Sequence, residues 1–271
     1  MTTINTNVNA LFAQNALTVN NRSLTKAMQQ LSTGSRVNSS GDDAAGLAIG
    51  TSMTAQIRGL NMAVRNANDG ISMLQTAEGA MVEQTNMLQR MRELAVQATI
   101  ATYNSTQLGY LDTEFQALDT QINNISTNTK WNGVTVMASA TTQDFVVGSA
   151  GSETISVELS ATDTTTGLAT ADLAVSSAAS AAAAVTLIDT ALASLSSARA
   201  TIGAGINQLT YAADNLTNVS QNLTASRSQI LDTDYATATT QLARSQIIQQ
   251  AATAMLAQAN QQPQSVLALL K

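Results

Sequence analysis

Cysteine and histidine are both missing from the 271 residues of this chain, and the two absences remove much of enzyme chemistry. No thiolate nucleophile, Ser-His-Asp relay, zinc site of the usual ligand types or histidine pH switch can be built, and disulfide cross-links go with them. Proline occurs once, as Pro263, and the aromatics are one Trp, four Tyr and three Phe. So little proline leaves helices uninterrupted, and so few aromatics leave the packing to Ala, Leu, Ile, Val and Met. A hydrophobic content of 44% opposes disorder. Charge is scarce at 11%, with 18 acids against 12 bases. Residues 1–41 hold Arg22, Lys26 and Arg36 and no acid, and residues 236–271 hold Arg244 and Lys271 and no acid, so every acid lies in the middle. No basic stripe with stacking aromatics offers itself to nucleic acid. The first residues are polar, without the basic leader and apolar run of a cleavable signal, and no stretch reads as long and apolar enough to span a bilayer.

Heptads are what the chain does have. Steps of three and four residues from Val185 to Ile230 land on Ile188, Leu195, Ile202, Leu209 and Leu216 among others, with Arg199, Ser220 and Arg227 as exceptions. A second run follows the same rule from Met53 through Leu60, Ala67, Leu74 and Met81 to Leu88, and a third runs from Leu108 through Phe115 to Ile125. Each makes one apolar stripe that has to be buried against another helix, which predicts three long helices sharing an elongated core. Asp42 and Asp43, after Ser39, Ser40 and Gly41, read as a helix start, and Asp232 and Asp234 as caps of the terminal segment rather than a cation pair. Between the second and third helices and the last long one the period changes to two. Asn132-Gly133 is a turn signal beside Val134 and Val136, and Asp144 to Val147 can pair with Ile155, Val157 and Leu159 as a small hairpin. Gly203 and Gly205 sit inside a heptad rather than after a strand, so they are no phosphate loop. Both ends carry weaker apolar patterns with little charge, which favours assembly over isolated helices.

Five strings carry a resemblance. INTNVNALFAQNAL, LSTGSRVNSSGDDAAGLAIG, LQRMRELAVQ and NGVTVM stand in that order in the N-terminal half, and NLTASRSQILDTDYATATTQLARSQIIQQAATAMLAQANQQPQSVLALLK closes the chain. Together they resemble bacterial flagellin over most of the sequence outside the hairpin insert. The resemblance implies a mainly α fold: an elongated antiparallel helical coiled-coil bundle with a small β-hairpin region, its termini pairing as a coiled coil that lines an inner tube and is unstructured in the monomer. It implies three parts, with residues 1–44 and 231–271 as the terminal inner-tube domain, 45–137 and 178–230 as the helical core, and 138–177 as a short variable insert appended to that core.

The implied function is structural. A flagellin is exported unfolded through the flagellar secretion channel and self-assembles outside the cell into the filament used for swimming, so the expected partners are copies of itself, an export chaperone, the filament cap and the hook-filament junction proteins. Enzyme activity, a metal, a cofactor, nucleic acid and membrane insertion are not expected. Self-assembly is expected to use Val8, Leu11, Leu24, Leu31, Ile247, Ile248, Met255, Leu256, Val266, Leu269 and Leu270. Arg90, Leu94 and Glu114 match the pattern by which a vertebrate toll-like receptor senses flagellin monomers. Arg90 and Leu94 stand one turn apart and off the Leu88 row, which predicts that both are exposed. The alternatives are a hook-filament junction protein and a secreted helical adhesin that does not polymerise.

Overall fold

The computed structural model describes residues 6–171 and 173–269, with the backbone path alone beyond residue 261. The order is α1 (Val8–Thr33), α2 (Ala44–Ala98), α3 (Ser105–Asn128), β1 (Lys130–Trp131), β2 (Val134–Thr135), β3 (Thr141–Val146), β4 (Thr154–Leu159), α4 (Ala178–Leu231) and α5 (Tyr235–Leu269). The protein is mainly α, as its heptads predict. Packing divides it into two units, residues 1–55 with 222–271 and residues 56–221. Both divisions fall inward of those read from the sequence.

In the unit of residues 56–221, three helices share a seam. Ser220 on α4 meets Asn61 on α2, and Asp189 meets Arg92, so one numbering rises as the other falls and the two helices are antiparallel. The pairs Gln84 with Ile122 and Arg90 with Glu114 set α3 antiparallel to α2 in the same way. The buried columns are more particular than the sequence stripe. On α4, Ile188, Leu195, Ile202, Leu209 and Leu216 form one column, as expected. The other column is Ala184, Ala191, Ala198 and Gly205, one residue before the predicted Val185, Leu192, Arg199 and Ile206, which are only half-buried. On α2 the shift is the same: Leu60, Ala67, Leu74, Met81 and Leu88 are joined by Ala63, Gly70, Ala77 and Gln84 rather than Val64, Ile71, Glu78 and Thr85. The buried face of each helix therefore pairs a column of large residues with a column of small ones.

An 18-residue window of α4 has mean hydropathy 1.6, long and apolar enough to cross a membrane, which corrects the sequence expectation. Much of that hydropathy comes from alanine, and the buried face of α4 through Ala181, Ala184, Ile188, Ala191 and Leu195 is that of a helix packed on one side.

Helix ends follow local chemistry. Asp43 Oδ1 accepts the Gly46 N–H (2.8 Å) at the start of α2, and Asn104 with Gln107 closes a reciprocal cap on α3. Asn132 and Gly133 both have positive φ (47° and 85°) in the two-residue turn joining β1 to β2, the conformation an Asn-Gly hairpin favours. β3 and β4 pair antiparallel with Phe145 opposite Ile155.

The insert is not an appendage. Val157, Leu159, Leu168, Leu173 and Val175 are buried, and polar side chains of the helices fasten its backbone. Gln84 Nε2 donates to the carbonyls of Ile122 and Thr162 (3.2 Å each), Gln116 Nε2 donates to Leu173 O (2.7 Å), and Asp112 Oδ1 accepts the Val175 N–H (2.8 Å). Glycines seat the hairpin: a Cβ on Gly70 would lie 2.6 Å from the Phe145 ring, and one on Gly205 would lie 2.8 Å from Val157 Cγ2, whereas one on Gly203 would meet nothing within 4 Å.

The two glycines of α4 therefore separate helix propensity from packing. Gly203→Ala is expected to raise stability by about 0.5–1 kcal/mol through backbone entropy. Gly205→Ala is expected to lower it by about 1–3 kcal/mol, because β-branched Val157 is stiff at χ1 and has no room to move. Thermal unfolding of both variants checks this, and equal shifts would show that the hairpin is not seated on Gly205.

Candidate assembly surface

In the other unit, α1 and α5 form a two-helix seam. Asn7 Nδ2 donates to Ala259 O (2.8 Å), Asn20 Nδ2 to Ser245 O (2.8 Å), and the Tyr235 hydroxyl to Leu31 O (3.1 Å), so the pair is antiparallel in one continuous register. The inward residues step by three and four without a break. On α1 they are Ala10, Ala13, Leu17, Asn20, Leu24, Ala27 and Leu31, and on α5 Tyr235, Ala238, Leu242, Ser245, Gln249, Ala252, Leu256 and Ala259; apart from Tyr235, all are half-buried or buried. Asn20, 7% exposed, places a polar group in the middle of this seam, a position at which one hydrogen-bonded side chain fixes register at some cost in stability.

The ends of α1 and α4 are stitched to each other. Gly34 takes a left-handed conformation (φ 71°) and its N–H closes α1 on Gln30 O. Ser35 then bridges Asp232, the Arg36 N–H donates to Leu231 O (2.6 Å), Arg36 Nη2 donates to Ile230 O (2.6 Å), and Thr233 returns its N–H to Gly34 O (2.9 Å). Asp234 accepts the Ala236 N–H and the Thr237 hydroxyl at the start of α5, the capping role expected of it, and these donors hold its carboxyl below the ordinary range. Asp42 does not cap α2 as its neighbour does. It accepts from Lys26 Nζ (2.9 Å), from the N–H groups of Asn38 and Ser39 and from the Ser39 hydroxyl, and the lysine above all lowers its pKa from 3.8 to about 2.

The two flanks of the α1–α5 pair differ. On one side Phe12, Ala13 and Ala16 meet Ile248, Ala251, Ala252 and Met255 around an open groove of about 620 Å³. Helical spacing puts Gln14, Thr18, Asn21 and Thr25 on the other side, with Gln246, Gln250 and Thr253. That flank is uncharged and mostly polar, with Leu11 and Met28 as its exposed apolar members, and Gln249 Nε2 donates to Asn21 Oδ1 across it (3.2 Å).

The residues expected in assembly fall into three groups. Leu24, Leu31 and Leu256 are half-buried within the α1–α5 seam. Val8, Leu11, Ile247, Ile248 and Met255 point outward, Met255 at 65% exposure. The Val266 and Leu269 side chains and all of Leu270 lie outside the described residues. Phe12, at 71% exposure, and Val19 were missed by the sequence reading; the signal was there, since both sit at one heptad position opposite the seam.

Of the three receptor-pattern residues, two are brought together. Arg90 Nε and Nη2 donate to Glu114 Oε1 (3.0 and 2.8 Å), and Nη1 donates to Glu93 (3.1 Å), on an exposed face. Leu94 is 1% exposed, which corrects the expectation that it is available to a partner. At this level α2 packs against both α3 and α4, so its buried face widens to take in Leu94 as well as Ala95.

A helical chain whose two ends pair in register and turn an apolar groove outward is a subunit made to be covered by others. The bacterial flagellin N-terminal helical region matches residues 4–142 and the flagellin C-terminal helical region matches residues 185–270. The chain belongs to the bacterial flagellin family. It is 43% identical to a flagellin of Halalkalibacterium halodurans and 39% identical to one of Bacillus subtilis, each alignment covering 99% of both chains. Among solved structures it is similar to a Bacillus cereus flagellin, with TM-score 0.51, 29% identity, and coverage of 60% of this chain and 94% of that one. A putative flagellar hook-associated protein from Vibrio parahaemolyticus shares the fold at TM-score 0.59 and 12% identity, covering 70% of this chain and 100% of that one. As a flagellin, the protein is a structural subunit of the extracellular flagellar filament.

The Asp42 cluster makes the unit containing α1 and α5 acid-sensitive. Its folded pKa lies below the unfolded value, so the stabilisation is complete above about pH 4 and is lost as pH falls toward 2. Asp42→Asn is expected to remove that part of the acid dependence, read by circular dichroism across pH 5 to 2. An identical acid profile in variant and parent would show that the Lys26–Asp42 contact does not form in solution.

Proposed function

We propose that this subunit polymerises by covering the apolar flank of its α1–α5 pair with neighbouring copies, while the uncharged polar flank lines the inner tube of the filament. The observation that carries the reading is the groove of Phe12, Ile248 and Met255 standing open beside the α1–α5 seam. Large exposed apolar side chains gain about 1.5–3 kcal/mol each when fully covered, so a few per subunit drive association. Pairing of the two ends is completed on assembly, since a lone two-helix pair this poor in charge and aromatics is marginal in water.

Unfolded export through the flagellar secretion channel suits a chain without cysteine, whose helices reform from local heptads. An export chaperone would shield the apolar outer face of α5 before secretion, and the filament cap and hook-filament junction proteins would meet the same ends of the chain at the two limits of the polymer. A vertebrate toll-like receptor would find the monomer through Arg90 and Glu114. Leu94 then acts from beneath, holding α2 in place under that ion pair.

Phe12→Ser with Met255→Ser is expected to raise the critical concentration for seeded polymerisation at least tenfold and to leave the helicity of residues 56–221 unchanged. Normal filament growth by the double variant would refute the groove's role. Arg90→Ala with Glu114→Ala is expected to reduce receptor signalling by monomers without altering the far-ultraviolet spectrum, and equal signalling by variant and parent would remove the receptor assignment.

A further inference from the structure

Unit 56–221 carries charges that its own packing does not use. Arg90, Arg92 and Arg199 are each paired with carboxylates. Arg58 and Arg65 are exposed on α2 and, among the described residues, take part in no ion pair. They stand two turns apart, about 10 Å along the helix, with Met62 between them at 47% exposure. Met62 shares one exposed face with them, so the two arginines bracket an apolar side chain.

The β3–β4 hairpin carries the opposite charge. Residues 138–177 contain no lysine or arginine, and the outward face of the hairpin presents Asp144 and Glu158. In the register Thr142 opposite Glu158 and Asp144 opposite Ser156, the two acids are diagonal neighbours on one face, about 7–8 Å apart. Asp144 accepts the Ser156 hydroxyl (2.6 Å), and among the described residues neither acid forms an ion pair. The hairpin lies along α2 from Gly59, which abuts Ser149, to Gly70, which abuts Phe145. It is held there by its inner face, which leaves Asp144 and Glu158 exposed.

We propose that Arg58, Met62 and Arg65 of one subunit receive the outer hairpin face, Asp144 and Glu158, of a second copy. The two patches are different surfaces of the same molecule, so the contact is heterologous and repeats without closing, as an open helical polymer requires. The spacing of the acids falls within the span of the two arginine side chains, and Met62 supplies the apolar centre that such a charged rim surrounds. This inference rests on the filament reading above and names a contact within it.

The test uses the full-length chain in seeded polymerisation. Arg58→Glu with Arg65→Glu, and separately Asp144→Lys with Glu158→Lys, are each expected to raise the critical concentration about tenfold, and a mixture of the two variants is expected to copolymerise near the parent's value. The milder Arg58→Gln with Arg65→Gln, expected to raise it severalfold, serves if a reversal lowers the melting temperature. Parent-like growth of the reversed and neutral variants, or a mixture no better than either variant alone, overturns this contact and leaves the filament reading intact. A parent that forms no polymer overturns both.

Discussion

Burial of two columns on each long helix, one of large aliphatic residues and one of alanine and glycine, is the constraint from which the unit of residues 56–221 follows. Ala184, Ala191, Ala198 and Gly205 on α4, with Ala63, Gly70 and Ala77 on α2, form the small column beside Leu and Ile of the large one. With three Phe and one Trp in the whole chain, aliphatic side chains do most of the packing beside the buried Phe115. The same small residues do a second task. Gly70 and Gly205 admit the hairpin side chains Phe145 and Val157, so the insert becomes part of the core and presents a defined acidic face.

The α1–α5 pair uses the heptad differently. Its seam is thin, of Ala and Leu with Asn20 and Ser245 at its centre, and its side-chain hydrogen bonds to opposing carbonyls fix register more than they add stability. What such a pair lacks in burial it has in exposed apolar surface. On the assembly proposed above, other copies complete its free energy, which is the property a reversible polymer needs. The hydrogen-bonded crossing of residues 34–36 with 230–233 ties the start of that pair together, so the ends of α1 and α5 are positioned by backbone groups and not by side chains that assembly has to bury.

Much of this was legible in the sequence, and the parts that were not share a cause. Large apolar residues at three and four announced α2, α3 and α4, and Asn132-Gly133 announced its turn. The second column of each seam was misread by one residue, because a search for apolar bulk picks Val185 over Ala184 and Ile71 over Gly70, while close packing selects the smaller. Leu94 was misread for a related reason: a single heptad row assumes one partner, and α2 there has two. The burial of Leu168, Leu173 and Val175 was hidden because it depends on Gln84, Asp112 and Gln116 reaching across from helices far away in sequence to hold an irregular backbone. Phe12 was visible and passed over, since the terminal segments were read for their seams and not for what stands opposite.

The central claim, that the two ends pair in one antiparallel register with Asn20 set against Ser245, has a direct measurement. The chain has no native cysteine, so Asn20→Cys with Ser245→Cys can be oxidised in assembled filaments without background, beside Asn20→Cys with Ala252→Cys, one heptad out of register. The account predicts an intramolecular disulfide in the first pair and none in the second. Cross-linking of the second pair, or only between subunits, would contradict it.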